Sequence, residues 1–221
     1  LPNDADVHAG QAVYTPLTLK AYDWFVHGFS NHLLWRCPTR ELESLYHRNV
    51  SGRHLDIGVG TGFFLARADW PSAAEITLVD LNAHSLAAAA RRIGRHVPET
   101  VIANVLDPQL PLEPGFESVG LCYLLHCLPG TMAEKAVVFD HVLPLMAEKS
   151  VLFGATILQG DAPRSRAAQA LMDFYNRKGI FTNAADTHDG LEAELEKRFG
   201  TVALARHGAV TTFEARSPLS R

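Results

Sequence analysis

The chain has 221 residues, 47% of them hydrophobic and 20% charged, with a formal net charge of −4. That size and balance suit one globular domain with a sizeable core, and the net acidity argues against a surface built to hold nucleic acid. No apolar run approaches the length needed to span a membrane, and the first residues lack the basic-then-apolar layout of a secretory signal. Three cysteines (Cys37, Cys122, Cys127) without framework spacing fit a reducing cytosol. Histidines are frequent, yet no H-x-H, H-E-x-x-H or paired C-x-x-C occurs, so no metal site is expected.

Residues 1–11 are polar. Residues 16–49 read as helical, with apolar positions at Leu17, Leu19, Trp24 and Phe25, then Leu33, Leu34 and Trp35, then Leu42, Leu45 and Tyr46. Pro38 separates the last piece, and Thr39 is its N-cap candidate. From residue 53 onward strand and helix alternate, the pattern of a parallel sheet covered on both faces. Strands are expected at 53–58, 75–80, 100–105, 116–123 and 150–158, and helices at about 62–69, 83–97 and 131–143. The last of these opens on Thr131-Met132-Ala133-Glu134, a capping-box pattern, and Pro144 ends or kinks it. A region with Leu171, Met172, Phe174, Tyr175 and Phe181 suits an apolar acceptor pocket and an ordinary packing helix equally well. A helix near 188–199 follows, then β-rich runs at 201–206 and 209–215 flanking His207-Gly208 as a hairpin. The expected division is a helical N-terminal extension or lid over 1–49 and one domain over 50–221.

His54-Leu55-Asp56-Ile57-Gly58-Val59-Gly60-Thr61-Gly62 is an apolar strand running into a loop with glycine at every second position. Near-bare backbone there lets a ligand lie against the main chain at the carboxyl end of a strand. A dinucleotide fingerprint is G-x-G-x-x-G; here the third glycine comes one residue early, and Phe63 and Phe64 stand where that loop would continue. The next strand ends in Asp80, a carboxylate able to accept hydrogen bonds from both hydroxyls of a ribose. Its bland alternative is the flank of the following helix N-terminus. The third strand ends near Asn104, for which a turn asparagine is the alternative.

D-x-G-x-G-x-G after a strand, with an acid closing the next strand, resembles motif I of the class I S-adenosylmethionine-dependent methyltransferases. The resemblance covers roughly residues 50–215. It implies an α/β fold, a Rossmann-like three-layer sandwich whose seven-stranded, mostly parallel sheet has the order 3-2-1-4-5-7-6. It also implies S-adenosyl-L-methionine as the cofactor. Asp56, Gly58, Gly60 and Thr61 would hold it in the loop, Asp80 on the ribose, Leu81 flat against the adenine, and Asn104 with Val105 at the adenine edge. Asn104 stands where the family commonly has an acid. Tyr123 would line the methyl-transfer site, and Tyr22 or Arg36 would meet the methionine carboxylate.

The exit of the fourth strand, Cys122 to Gly130, has no Pro-Pro-aromatic tetrad, no Pro-Cys nucleophile and no carboxylate cluster. Exocyclic amino methylation of bases, carbon-5 methylation and metal-dependent catechol chemistry are thereby disfavoured. Leu125-His126-Cys127-Leu128 resembles the Leu-His-x-Leu stretch of many small-molecule methyltransferases. In the plant-type phenolic O-methyltransferases that histidine is the general base, so the resemblance makes His126 the catalytic candidate: an imidazole near ~6.5 can take the proton of a phenol near ~10. Its alternative is a loop-capping role. The expected activity is metal-independent methyl transfer to an oxygen, with nitrogen second, of a small, mostly hydrophobic metabolite, with secondary metabolism as a setting. The rival on the same scaffold keeps the cofactor intact and catalyses a cyclisation or rearrangement. The expected partner is a small-molecule substrate in the cytoplasm, with no nucleic acid and no membrane; a homodimer is left open.

Overall fold

The computed structural model describes residues 34–219 except Arg95 and Pro163. Tyr22 and the helices expected before residue 34 lie outside the described residues. In chain order the elements are α1 (Thr39–Asn49), β1 (Arg53–Ile57), β2 (Glu75–Asp80), α2 (Ala83–Ile93), β3 (Glu99–Ile102), β4 (Phe116–Cys122), α3 (Met132–Lys135), α4 (Val137–Val142), β5 (Met146–Ile157), α5 (Arg166–Arg177), α6 (His188–Glu196), β6 (Phe199–His207) and β7 (Val210–Pro218).

The strands form one sheet in the order β3-β2-β1-β4-β5-β7-β6. Strands β3 to β5 along that order are parallel, and β7 pairs antiparallel with both β5 and β6. Parallel strands covered on both faces need near-continuous apolar runs. Leu55 and Ile57, Leu78 and Val79, Val119 and Leu121, and Leu152 and Phe153 supply them and form the core. The chain leaves β1 in one direction toward β2 and β3, then returns to place β4 on the other side. That reversal opens a crevice at the carboxyl ends of β1 and β4, where ligands bind in such sheets.

Three departures from the sequence reading have local causes. Strand β3 stops at Ile102 because Asn104 closes a turn: its Oδ1 accepts the Leu106 N–H at 3.0 Å and its carbonyl the Asp107 N–H at 2.9 Å. The helix expected at 62–69 is a single 3-10 turn, Leu65–Arg67. The Leu65 carbonyl accepts the Ala68 N–H at 3.4 Å, which closes that turn, and the Trp70 indole N–H at 2.7 Å. The helix expected at 131–143 is broken into α3, α4 and a 3-10 turn, Leu143–Leu145, that contains Pro144. Its capping box is present, with Thr131 and Glu134 each bonding the other's backbone N–H. Helix α5 starts where Ser165 accepts the Ala168 N–H.

Helix α1 is fastened to the sheet. Arg48 pairs with Glu214 of β7 at 2.6 Å, the preceding Trp35 carbonyl accepts the Ala209 N–H at 2.9 Å, and Tyr46 is buried.

Candidate active site

The loop after β1 is shaped by what lies above and below it. Gly62 has φ +69°, and a Cβ there would stand 2.8 Å from Ala89 Cα, so α2 packs directly under the loop. Gly60 has φ +52° and nothing within 4 Å of its missing Cβ. Its bare face opens into a cleft lined by this loop, by Asp80, Leu81 and Asn82 after β2, by Ala103, Asn104 and Val105 after β3, and by Cys122, Tyr123 and Leu124 after β4.

Asp56, Gly58, Gly60, Thr61, Asp80, Leu81, Asn104, Val105 and Tyr123 are thus brought together on one cleft. Asp80 Oδ1 accepts the Asn82 N–H at 2.8 Å, while Asn82 itself caps α2 by accepting the His84 N–H at 2.8 Å. The helix cap is therefore Asn82, and the Asp80 carboxylate faces the cleft. Burial pushes that carboxyl up to about 6, against backbone N–H groups of Asn82, Gly60 and Val59 that pull it down. The Asn104 amide oxygen serves its turn and keeps a second lone pair for a ligand. Val105 is held by its carbonyl, which accepts from His141 Nδ1 at 2.8 Å. Thr61 Oγ1 accepts from Arg92 at 2.9 Å. Tyr123 has φ +60°, an uncommon conformation for a residue with a side chain, and its N–H donates to the Ala155 carbonyl at 2.7 Å.

Two expected residues stand elsewhere. Arg36 is exposed, has φ +56°, and lies against the hairpin turn, where a Cβ on Gly208 would come 2.6 Å from its own Cβ. The His126 ring is 3% exposed and outside the cleft lining. Its Nδ1 accepts the Ile157 N–H at 3.3 Å, and Phe181 packs edge-on with centroids 4.6 Å apart. Burial, with the Lys135 charge as second cause, pushes its pKa down to about 3.

Tyr46 was missed as a site residue. It lines the cleft, stacks on Phe64 and donates its hydroxyl to Asp56 Oδ2 at 2.9 Å. Helical periodicity correctly puts it on the buried face of α1, but periodicity carries no sign of where a hydroxyl ends.

This donor set suits a nucleoside. The Asp80 carboxylate can accept from a pair of hydroxyls, Leu81 and Val105 offer apolar surface that suits a flat base, and bare backbone at Gly60 admits close approach.

A family described as "Methyltransferase domain" matches residues 55–142. The chain is 40% identical over 214 residues to the demethylluteothin O-methyltransferase of Streptomyces thioluteus, covering 96% of this chain and 93% of the relative. It is 36% identical over 221 residues to the physcion biosynthesis cluster O-methyltransferase of Aspergillus chevalieri, covering 99% of each. Its fold is similar to that of the N-methyltransferase NodS from Bradyrhizobium japonicum WM9 solved with S-adenosyl-L-homocysteine, with a TM-score of 0.61, 13% identity, and coverage of 92% of this chain and 98% of that one. Cleft chemistry, sheet order and near-full-length relatives agree: the chain belongs to the class I S-adenosylmethionine-dependent methyltransferases.

Proposed function

We propose that the chain moves the methyl group of S-adenosylmethionine to a hydroxyl oxygen of a small, mostly apolar molecule. The observation that carries this is the Asp80 carboxylate beside the open backbone of Gly60, at the carboxyl edge of a sheet with the strand order 3-2-1-4-5-7-6. Near-full-length identity to two enzymes named O-methyltransferases supports oxygen as the acceptor atom.

Bound there, the cofactor supplies an electrophilic methyl on a sulfonium. The sheet order gives the cleft a direction, from β3 and β2 toward β1 and β4. With ribose hydroxyls on Asp80 and the base beside Leu81 and Val105, the amino-acid end runs toward Asp56, Tyr46 and Tyr123. Leu124, Leu128 and Pro129 line the β4 exit with apolar surface, which favours a dry site for the transfer. The rate gain then comes from approximation and a dry site.

The base role expected for His126 lacks geometric support. Its Nδ1 is occupied by a backbone N–H, so its proton sits on Nε2, and with a pKa near 3 the ring has little affinity for another. Metal-independent turnover belongs to the same reading: among the described residues no three His, Cys, Asp or Glu side chains are grouped to hold an ion. A cytosolic setting without membrane or nucleic-acid partners belongs to it too. Three free cysteines support that setting, and no described helix is long and apolar enough to cross a membrane.

The test is incubation with methyl-labelled S-adenosylmethionine and a panel of hydroxylated aromatic compounds that includes demethylluteothin. A product with the label on oxygen, and one S-adenosylhomocysteine per product, is expected. Label on nitrogen or carbon, or a changed acceptor with the cofactor intact, overturns the reading. In the same assay His126→Gln should keep kcat within about tenfold of wild type. A loss of about 10²–10⁴ that shrinks as pH rises would restore the histidine as base.

A further inference from the structure

Beneath the cleft runs a line of polar side chains, buried from Tyr46 to Ser118 and ending at the half-buried Ser51, that methyl transfer does not by itself explain. Its placement follows from register. Across β1 and β4, His54 pairs with Ser118 and Asp56 with Gly120, and residues two apart on a strand share a face. Ser118 is thus beside His54, and the missing side chain of Gly120 leaves room for the Asp56 carboxylate. A Cβ on Gly120 would collide with Asp56 Oδ2.

The contacts are continuous. Ser51 Oγ lies 2.7 Å from Ser118 Oγ, which lies 2.7 Å from His54 Nδ1; His54 Nε2 is 3.4 Å from Asp56 Oδ2, on which the Tyr46 hydroxyl also converges at 2.9 Å. With Asp56 as a carboxylate, the protons can be assigned from that end. An ionised carboxylate only accepts, so Tyr46 O–H and His54 Nε2–H both donate to it. A neutral imidazole that donates from Nε2 accepts at Nδ1, from Ser118 O–H, and Ser51 O–H then donates to Ser118. Every link points toward Asp56. His54 and Ser118 are fully buried, and the imidazole is stacked on Phe153 at 5.8 Å with the Trp70 ring edge-on at 5.1 Å. A satisfied polar line sealed in apolar packing holds one geometry.

The carboxylates of the described lining are Asp80 and Asp56. Asp80 stands at the nucleoside end, which leaves Asp56 for the cationic α-amino group at the other. We propose that His54, backed by Ser118 and Ser51, is a positioning residue that, together with Tyr46, aims the Asp56 carboxylate at the amino-acid end of the cofactor. His54 then sets affinity for ligands that carry that end without touching them. This rests on the methyltransferase reading above.

The experiment compares two ligands by calorimetry. S-adenosylhomocysteine has the amino-acid end; 5′-methylthioadenosine keeps the nucleoside and sulfur but lacks it. His54→Phe fills the ring cage and removes the donor, whereas His54→Gln returns an amide N–H near the place of Nε2. For His54→Phe, S-adenosylhomocysteine affinity should fall by about tenfold or more, the scale of one lost hydrogen bond to a charged group, with methylthioadenosine unchanged within about twofold. His54→Gln should recover most of the loss. Should His54→Phe fail to fold, as its melting curve would report, Ser118→Ala removes the tautomer-fixing donor with little change in volume and should show the same split at smaller size. An equal loss for both ligands, or no loss in a folded variant, overturns the positioning role alone. Wild-type protein that binds neither ligand overturns the methyltransferase reading and this role with it.

Discussion

At Asp80 the cleft holds a carboxyl raised from its ordinary 3.8 to about 6, with burial the leading cause. The folded chain therefore takes up this proton at a higher pH than the unfolded chain does. The stability gained from that uptake is fully present below about 3.8 and is lost as pH rises through about 6. Ribose hydroxyls need the ionised form as acceptor, so binding has the opposite preference. Wild-type affinity for S-adenosylhomocysteine should hold above about pH 6 and fall by up to about tenfold per unit below it. Asp80→Asn should melt higher than wild type near neutral pH, with the difference closing as pH drops toward 4. The same variant should bind S-adenosylhomocysteine about 1.5–3 kcal/mol more weakly at about pH 8. Scanning calorimetry and titration across about pH 4–8 check both; a flat affinity profile, or a variant that binds as wild type does, contradicts the ribose assignment.

Helix α3 is tied to the segment before α6 by a buried ion pair. Lys135 Nζ, on a residue with no exposed surface, sits 2.5 Å from Asp186 Oδ2 and donates to the Thr182 carbonyl at 2.9 Å. Burial pushes Lys135 down and Asp186 up, against their mutual attraction. Asp186→Leu leaves the lysine without its carboxylate and should cost about 3–5 kcal/mol, whereas adding Lys135→Met should return much of it. Denaturant unfolding measures this, and a single-variant loss under about 1 kcal/mol rules out a tightly paired site. Such ties are what the sequence hides. The β1 loop was legible because three alternate glycines after an apolar strand answer to close approach and helix packing, which are local demands. The hairpin at Gly208 was legible for the same reason. The helix expected at 62–69 stops after one 3-10 turn, where the Leu65 carbonyl is shared by the Ala68 N–H and the distant Trp70 indole N–H, a contact that spacing does not show. His54, Ser118 and Gly120 gave no sign of acting together, since only strand register places them side by side. Spacing made His126 a base candidate, and spacing cannot tell a strand-exit histidine that lines the cleft from one buried outside its lining, which is where this ring lies.

Across the whole molecule, sheet order turns a few short motifs into one oriented cleft. The proposed function puts the nucleoside end over β2 and β3 and the amino-acid end over β1 and β4, and α1 reaches across the sheet to place Tyr46 against Asp56. A cleft of this family takes a phosphate-free sulfonium nucleoside and not a dinucleotide. Calorimetric titration of the wild-type chain with S-adenosylmethionine, S-adenosylhomocysteine, NAD and FAD checks this. Saturable one-to-one binding of both sulfur ligands, with no heat of binding from NAD or FAD, is the predicted result; tight NAD binding with no response to either sulfur ligand would contradict it.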